Sequence, residues 1–281
     1  MRQLGTSADD IARGVAIDPN GNIYVAGTTR GNLDGTSAGG YDGFVAKYNG
    51  SGALQWVRQF GTTADEGGSG AIADPSGNVY VTGYTSGSLD GTNAGATDIY
   101  LVKYDTTGVK QWTRQLGTSD YDAGDAIAID GMGNIFIAGE TMGGLDGNTS
   151  AGGQDLVLVK YNDAGSKLYT RQFGSTANDV GYGIAMNLGG EAYVTGNTAG
   201  GLEGNTNAGM QDLYVVKYAL NGTRVWIRQM GSASYDVGLG ITVLSNDVVV
   251  FGSTGGGVDG NTNAGATDCI IVKYQQDGRK R

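Results

Sequence analysis

The segment Arg2-Gln3-Leu4-Gly5 returns at Arg58, Arg114, Arg171 and Arg228, at spacings of 56, 56, 57 and 57 residues. Self-similarity at one period along a chain of 281 residues restricts it to an array of equivalent units that bury their apolar faces against one another. The copies run 2–57, 58–113, 114–170, 171–227 and 228–281, which leaves no room for a linker, so a single domain is expected over 1–281.

Each copy reads as four short strands. In the first they are Ala12 to Asp18, Asn22 to Thr29, Gly43 to Tyr48 and Leu54 to Phe60, with β-branched or alternating apolar residues. Asp18-Pro19-Asn20-Gly21 is a tight turn in which proline presets φ and glycine takes the positive-φ position. No segment sustains a 3.6-residue period. The chain holds 53 Gly but 2 Pro, which removes collagen and polyproline folds. Four antiparallel strands in about 56 residues describe a propeller blade. The expectation is an all-β, five-bladed β-propeller of four-stranded antiparallel blades. Gly278-Arg279-Lys280-Arg281 and Arg2-Gln3-Leu4-Gly5 are two halves of one fourth strand, so the terminal segments should share the last blade and close the ring.

Several blocks recur together: Arg2-Gln3-Leu4-Gly5-Thr6-Ser7, Asp18-Pro19-Asn20-Gly21-Asn22-Ile23-Tyr24-Val25-Ala26-Gly27, Val258-Asp259-Gly260-Asn261-Thr262-Asn263-Ala264-Gly265, and Val102-Lys103-Tyr104 with Trp112 beyond it. Over the whole chain they resemble the bacterial SBBP β-propeller repeats. The resemblance implies a propeller, frequently in an exported or surface-displayed bacterial protein. It implies no defined enzymatic activity and carries over no catalytic residues. The family name suggests seven blades, against five copies here.

The formal net charge is −10. Phosphate affinity comes from Lys and Arg, so nucleic acid is excluded as a partner, and anionic membrane surfaces are disfavoured. The apolar runs, such as Val248 to Phe251, fall far short of the roughly 20 residues of a membrane span, so no membrane insertion is expected. The start Met1-Arg2-Gln3-Leu4-Gly5 lacks the apolar stretch of a secretory leader, so an extracellular, cell-surface or periplasmic location would belong to a longer parent chain. There is no His and a single Cys, which removes His-based triads, His metal sites, intrachain disulfides and Cys-cluster zinc sites. A monomer is expected.

Acidic residues form three columns, one member per copy. The first is Asp10, Glu66, Asp122, Asp179 and Asp236; the second is Asp34, Asp90, Asp146, Glu203 and Asp259; the third is Asp42, Asp98, Asp155, Asp212 and Asp268. In the loop from Asp259 to Asp268, Asn261 and Asn263 stand at alternate positions, as does Asn148 after Asp146 and Asn205 after Glu203. Hard cations take six to eight oxygens from such groups, so these loops are the place where calcium would bind if the chain uses it. The competing expectation is that Asp and Asn cap their own turns.

The recurring Arg, and Lys47, Lys103, Lys160, Lys217 and Lys273, should brace each blade by pairing with a nearby Asp. Trp56, Trp112, Tyr169 and Trp226 read as packing between blades, and Cys269, in a column held by Ile99, Leu156 and Leu213, as a buried small hydrophobe. Positions that break the symmetry are the candidates for ligand contact. At the end of strand two the column is Thr28, Tyr84, Glu140, Asn197 and Ser253, and on the inner strand Arg13 and Asp125 are charges without like counterparts. The expected function is non-catalytic recognition of a protein or glycan. The alternatives are a calcium-stabilised, lectin-like sugar binder and a carboxylate glycosidase. The glycosidase would need two unlike acids at one place, and Glu140 and Asp125 are the odd ones that stand outside the repeated acidic columns.

Overall fold

The computed structural model describes residues 1–35 and 37–281. The first sheet orders β1 (Asp10–Ile17), β2 (Ile23–Thr29), β3 (Asp42–Tyr48) and β4 (Leu54–Phe60) side by side, all antiparallel. The second repeats this with β5 (Glu66–Ala73), β6 (Val79–Thr85), β7 (Asp98–Tyr104) and β8 (Lys110–Leu116). The third holds β9 (Asp122–Ile129), β10 (Ile135–Thr141), β11 (Asp155–Tyr161) and β12 (Lys167–Phe173). The fourth holds β13 (Asp179–Met186), β14 (Ala192–Thr198), β15 (Asp212–Tyr218) and β16 (Arg224–Met230). The last has three strands, β17 (Asp236–Val243), β18 (Asp247–Thr254) and β19 (Asp268–Gln275). One 3-10 turn, Leu145–Gly147, is the helical content among the described residues.

The local chemistry of each hairpin is legible. Asp18 accepts hydrogen bonds from the Asn20 and Asn22 amides at 2.9 Å each, and Gly21 sits at φ 79°, closing the β1–β2 turn. Central strands such as β7, β11 and β15 are buried along their whole length.

The chain divides into two compact units, Met1–Ile127 and Ala128–Arg281, with the division inside β9. In the first, Tyr24, Ala26 and Val45 of one sheet interlock with Val79, Val81, Tyr100 and Tyr104 of the next. In the second, Tyr193, Leu213 and Val215 meet Val248, Val250, Val272 and Tyr274. At roughly 25 cal/mol per Å² of apolar surface, these sheet-to-sheet layers are the dominant stabilising term.

Two expectations are corrected here. The last sheet has three strands where four were expected, with only the bridge Tyr274–Lys280 beyond β19, and residues 1–9 form no strand. Arg2 instead donates from Nε to the Gly52 carbonyl at 2.7 Å, the bond that Arg58 makes to Gly108 one repeat later. Cys269 is exposed, not buried. Its column mates Leu156 and Leu213 lie beneath neighbouring sheets, whereas Phe251 and Ile271 beside it are 57% and 75% exposed.

Candidate functional site

The acidic columns are consumed by the scaffold. In the first column, Asp10 accepts from the Thr6 amide and hydroxyl, and Glu66 from those of Thr62. Asp122, Asp179 and Asp236 receive the same pair of bonds from Thr118, Ser175 and Ser232. The threonine ending strand two adds a further bond, from Thr29 to Asp10 at 2.5 Å, from Thr85 to Glu66 at 2.7 Å and from Thr198 to Asp179.

The third column anchors the long loop. Asp42 Oδ2 accepts from the Ala38 amide at 2.9 Å and from Gln59 Nε2 at 2.6 Å. Asp98, Asp155 and Asp212 are held likewise by Ala94 and Gln115, Ala151 and Gln172, and Ala208 and Gln229; Asp268 accepts from Ala264.

The second column pairs with cations of the chain itself. Arg58 and Arg114 stand 4.0 and 3.8 Å from Asp34 and Asp90, and Lys167 Nζ is 2.5 Å from Asp146. Arg224 pairs with Glu203, and Lys280 with Asp259. Asn148, Asn205 and Asn261 donate to the carbonyls of Leu145, Leu202 and Val258 in their own loops, and Asn263 Oδ1 accepts from the Gly265 amide. No group of three or more acidic or Cys side chains that could hold a metal ion forms among the described residues.

The repeated bases brace neighbouring sheets, though chiefly through carbonyls where Asp partners were expected. Arg58 Nε donates to Gly108 O at 2.7 Å, and Lys47 Nζ and Trp56 Nε1 both donate to Thr106 O. Carboxylate partners do appear for Lys160 with Asp130, Lys217 with Glu191 and Lys273 with Asp247. Trp56 also packs between Tyr24 and Tyr104, as an inter-sheet aromatic should.

The non-repeating residues behave differently. Within Met1–Ile127, Arg13, Thr28, Tyr84 and Asp125 line one cavity of about 390 Å³, together with Ile11, Tyr41, Gly67, Ser69 and Tyr121. Its size is that of a small-molecule cleft. Arg13 arrives there through a β-bulge, because the β1–β2 register slips between Ala12 and Gly14 and leaves residue 13 as the extra one. The same slip brackets Ser69, between Gly68 and Gly70. Asp125 holds the corresponding sequence position in the third repeat. Thr28 accepts the Gly68 amide at 3.1 Å, and Gly67 lies flat against the Tyr84 ring. Arg30 stacks on Tyr41, with its guanidinium carbon 4.5 Å from the ring centroid.

In Ala128–Arg281, slips at Tyr182 and Leu239 mark the same bulge, and both side chains are exposed. Glu140 accepts from Gln154 Nε2 at 3.2 Å, Asn197 is buried, and Ser253 is half-buried on β18. Ser69, Tyr41 and Tyr121 are cavity residues that reading the sequence did not single out. The signal was present in one of them: a variable residue between two glycines in mid-strand, as in Gly68-Ser69-Gly70, marks a bulge that re-aims its side chain.

Against known proteins, the SBBP β-propeller repeat model matches residues 1–34, 55–90 and 111–146. Those three segments are SBBP-type β-propeller repeats. The propeller is similar to the regulatory protein FlaEY of Caulobacter vibrioides, 26% identical over 242 residues, a match covering 78% of this chain and 24% of that protein. A WD repeat-containing protein of Acanthamoeba polyphaga mimivirus is 25% identical over 195 residues, or 65% of this chain and 12% of that one. The propeller thus spans a quarter or less of the length of these relatives. Among solved structures, a Bacteroides caccae protein of unknown function superimposes with TM-score 0.52 at 11% identity, over 99% of this chain and 82% of that one. The gluconolactonase XC5397 of Xanthomonas campestris gives TM-score 0.50 at 14% identity, over 96% and 74%. At such identities the likeness is one of fold.

Proposed function

We propose that this propeller is a non-catalytic recognition module that binds a glycan or protein ligand through the cavity lined by Arg13, Thr28, Tyr84 and Asp125. One observation carries the reading: the repeated acids and bases are tied into turns, loops and inter-sheet braces, while four of the seven symmetry-breaking residues meet at one cavity. Varied side chains on a repeated frame are how one architecture acquires a private ligand. The dense hydroxyl lining, from Thr28, Tyr41, Ser69, Tyr84 and Tyr121, favours a polar ligand, and the aromatic faces favour contact with ring C–H groups. Glycosidic cleavage by a pair of carboxylates is not favoured, because Asp125 is the one acid lining this cavity. A glycan and peptide array probed with the intact propeller tests the reading. Binding that is lost on Thr28→Ala and on Tyr84→Ala, in proteins that remain folded, is the expected result, with Thr28→Ala lowering the melting point somewhat because it strands the buried Gly68 amide. Ligands retained by both variants would place recognition elsewhere.

A further inference from the structure

Resting on that reading, we infer that the cavity takes a carboxylate-bearing pyranose, a uronic-acid residue, with Arg13 reading its carboxylate. Every other arginine has work within the fold. Arg58, Arg171 and Arg228 donate to backbone carbonyls of the following repeat, and Arg114 pairs with Asp90. Arg2 bonds Gly52, Arg30 stacks on Tyr41, and Arg224, Arg279 and Arg281 hold carboxylates. Arg13 makes no hydrogen bond, ion pair or ring contact among the described residues. Four of the others, Arg2, Arg30, Arg171 and Arg228, also lack a carboxylate among the described residues but are held by carbonyls or a ring, so a guanidinium with no partner of any kind is the exception. It also stands on the one residue that the β1 bulge turns out of the ladder, and that residue lines a cavity.

A guanidinium presents a rigid fork of donors that matches a carboxylate in two parallel bonds. The remaining lining divides into hydroxyls and ring faces. Tyr41, Tyr84 and Tyr121 offer π surface to the apolar side of a pyranose, while Thr28, Ser69 and the phenols offer partners to its hydroxyls. Asp125 is an acceptor for hydroxyl protons, and it repels a carboxylate, so the ligand is oriented with its acid group at Arg13. A cavity of about 390 Å³ accommodates one sugar ring with its first substituents.

Calorimetric titration of the intact chain with glucuronate and galacturonate, against glucose and the methyl ester of glucuronate, decides the matter. The expected result is binding of a uronate at least roughly tenfold tighter than its neutral counterparts, the size of one charge-assisted contact, weakening as salt is raised. Arg13→Gln should erase the preference and Arg13→Lys should keep part of it, with melting unchanged in both because Arg13 supports no contact in the fold. Equal binding of neutral and acidic sugars would overturn the role of Arg13 while leaving glycan recognition standing. Binding of a uronate that survives Arg13→Gln would also overturn it. If no sugar binds, the uronate inference falls, and the broader recognition reading is judged on the array alone.

Discussion

A Cβ placed on Gly61 would stand 2.0 Å from Oδ1 of Asp42, so the glycine of the recurring Arg-Gln-x-Gly block is pressed onto a fully buried carboxylate. The same point lies 2.7 Å from Oε2 of Glu66. Gly174 meets Asp155 and Asp179 in the same way, and Gly231 meets Asp212 and Asp236. The glycine is required by close approach, since its φ is not in the left-handed range. Asp42 cannot swing aside, because Gln59 and the Ala38 amide hold its other oxygen.

Gly61→Ala should therefore destabilise the fold by about 1–3 kcal/mol, the usual scale of overpacking. Gly131→Ala is the matched control, since nothing lies within 4 Å of its Cβ position and its φ is ordinary. Urea midpoints of the two variants should separate; a Gly61→Ala midpoint equal to wild type would show that the carboxylates yield freely.

The adjacent acids make stability depend on pH in opposite directions. Burial pushes the Glu66 carboxyl above its ordinary value, and the neighbouring Asp42 adds to the effect against hydrogen bonds from Thr85 and Thr62. Asp179 is raised by burial and by Asp155. A raised folded pKa means that the native state holds its proton more tightly than the unfolded chain. That contribution is whole below the unfolded value and fades as pH climbs through the folded one. Glu66→Gln should accordingly gain on wild type as pH rises above about 4.5, the ordinary value for Glu. Asp10 behaves oppositely: its burial is outweighed by bonds from Thr29 and Thr6, so its carboxyl is lowered. Its contribution is present above the unfolded value and is lost as pH falls through the folded one, so Asp10→Asn should cost most at neutral pH. Denaturation series on both variants from pH 8 down to about pH 2, well below the ordinary Asp value of 3.8, would expose a wrong sign in either.

Arg58 is expected to matter for its carbonyl bonds and little for its ion pair. It donates to Gly108 O at 2.7 Å and to Val57 O at 2.6 Å, while Asp34 is 4.0 Å away at the surface. Arg58→Gln should lower stability by about 1–2 kcal/mol. Asp34→Asn should change it by no more than about 0.5 kcal/mol, as is usual for exposed pairs. Reversal of that order in thermal melts would reinstate the ion pair as the brace.

Cys269 should titrate with a thiol reagent in the native protein. It is exposed, and it is the single cysteine of the chain, so one equivalent should react without denaturant. Reaction only after unfolding would mean that the face of β17–β19 around Phe251 and Ile271 is covered in solution.

Repeat length, strand order, turn chemistry and the near-absence of helix among the described residues were all readable in the chain, because each rests on local pattern. A 56-residue period, two apolar alternations and an Asp-Pro-Asn-Gly turn leave little else for Met1 to Gly61 to form. The columns of like residues were equally visible, but their partners were not. Asp34 and Asp42 look alike in sequence, yet one meets an arginine at the surface and the other is buried under Gln59 and Gly61. Arg13, Thr28, Tyr84 and Asp125 could be marked as odd from their columns, whereas their meeting at one cavity depends on register. Only the paired strands reveal that the ladder slips by one at residue 13 and turns that side chain toward residues from other repeats. Local sequence determines which strands form; burial, charge pairing and side-chain convergence are sums over neighbours far apart in the chain, so only the folded arrangement decides them.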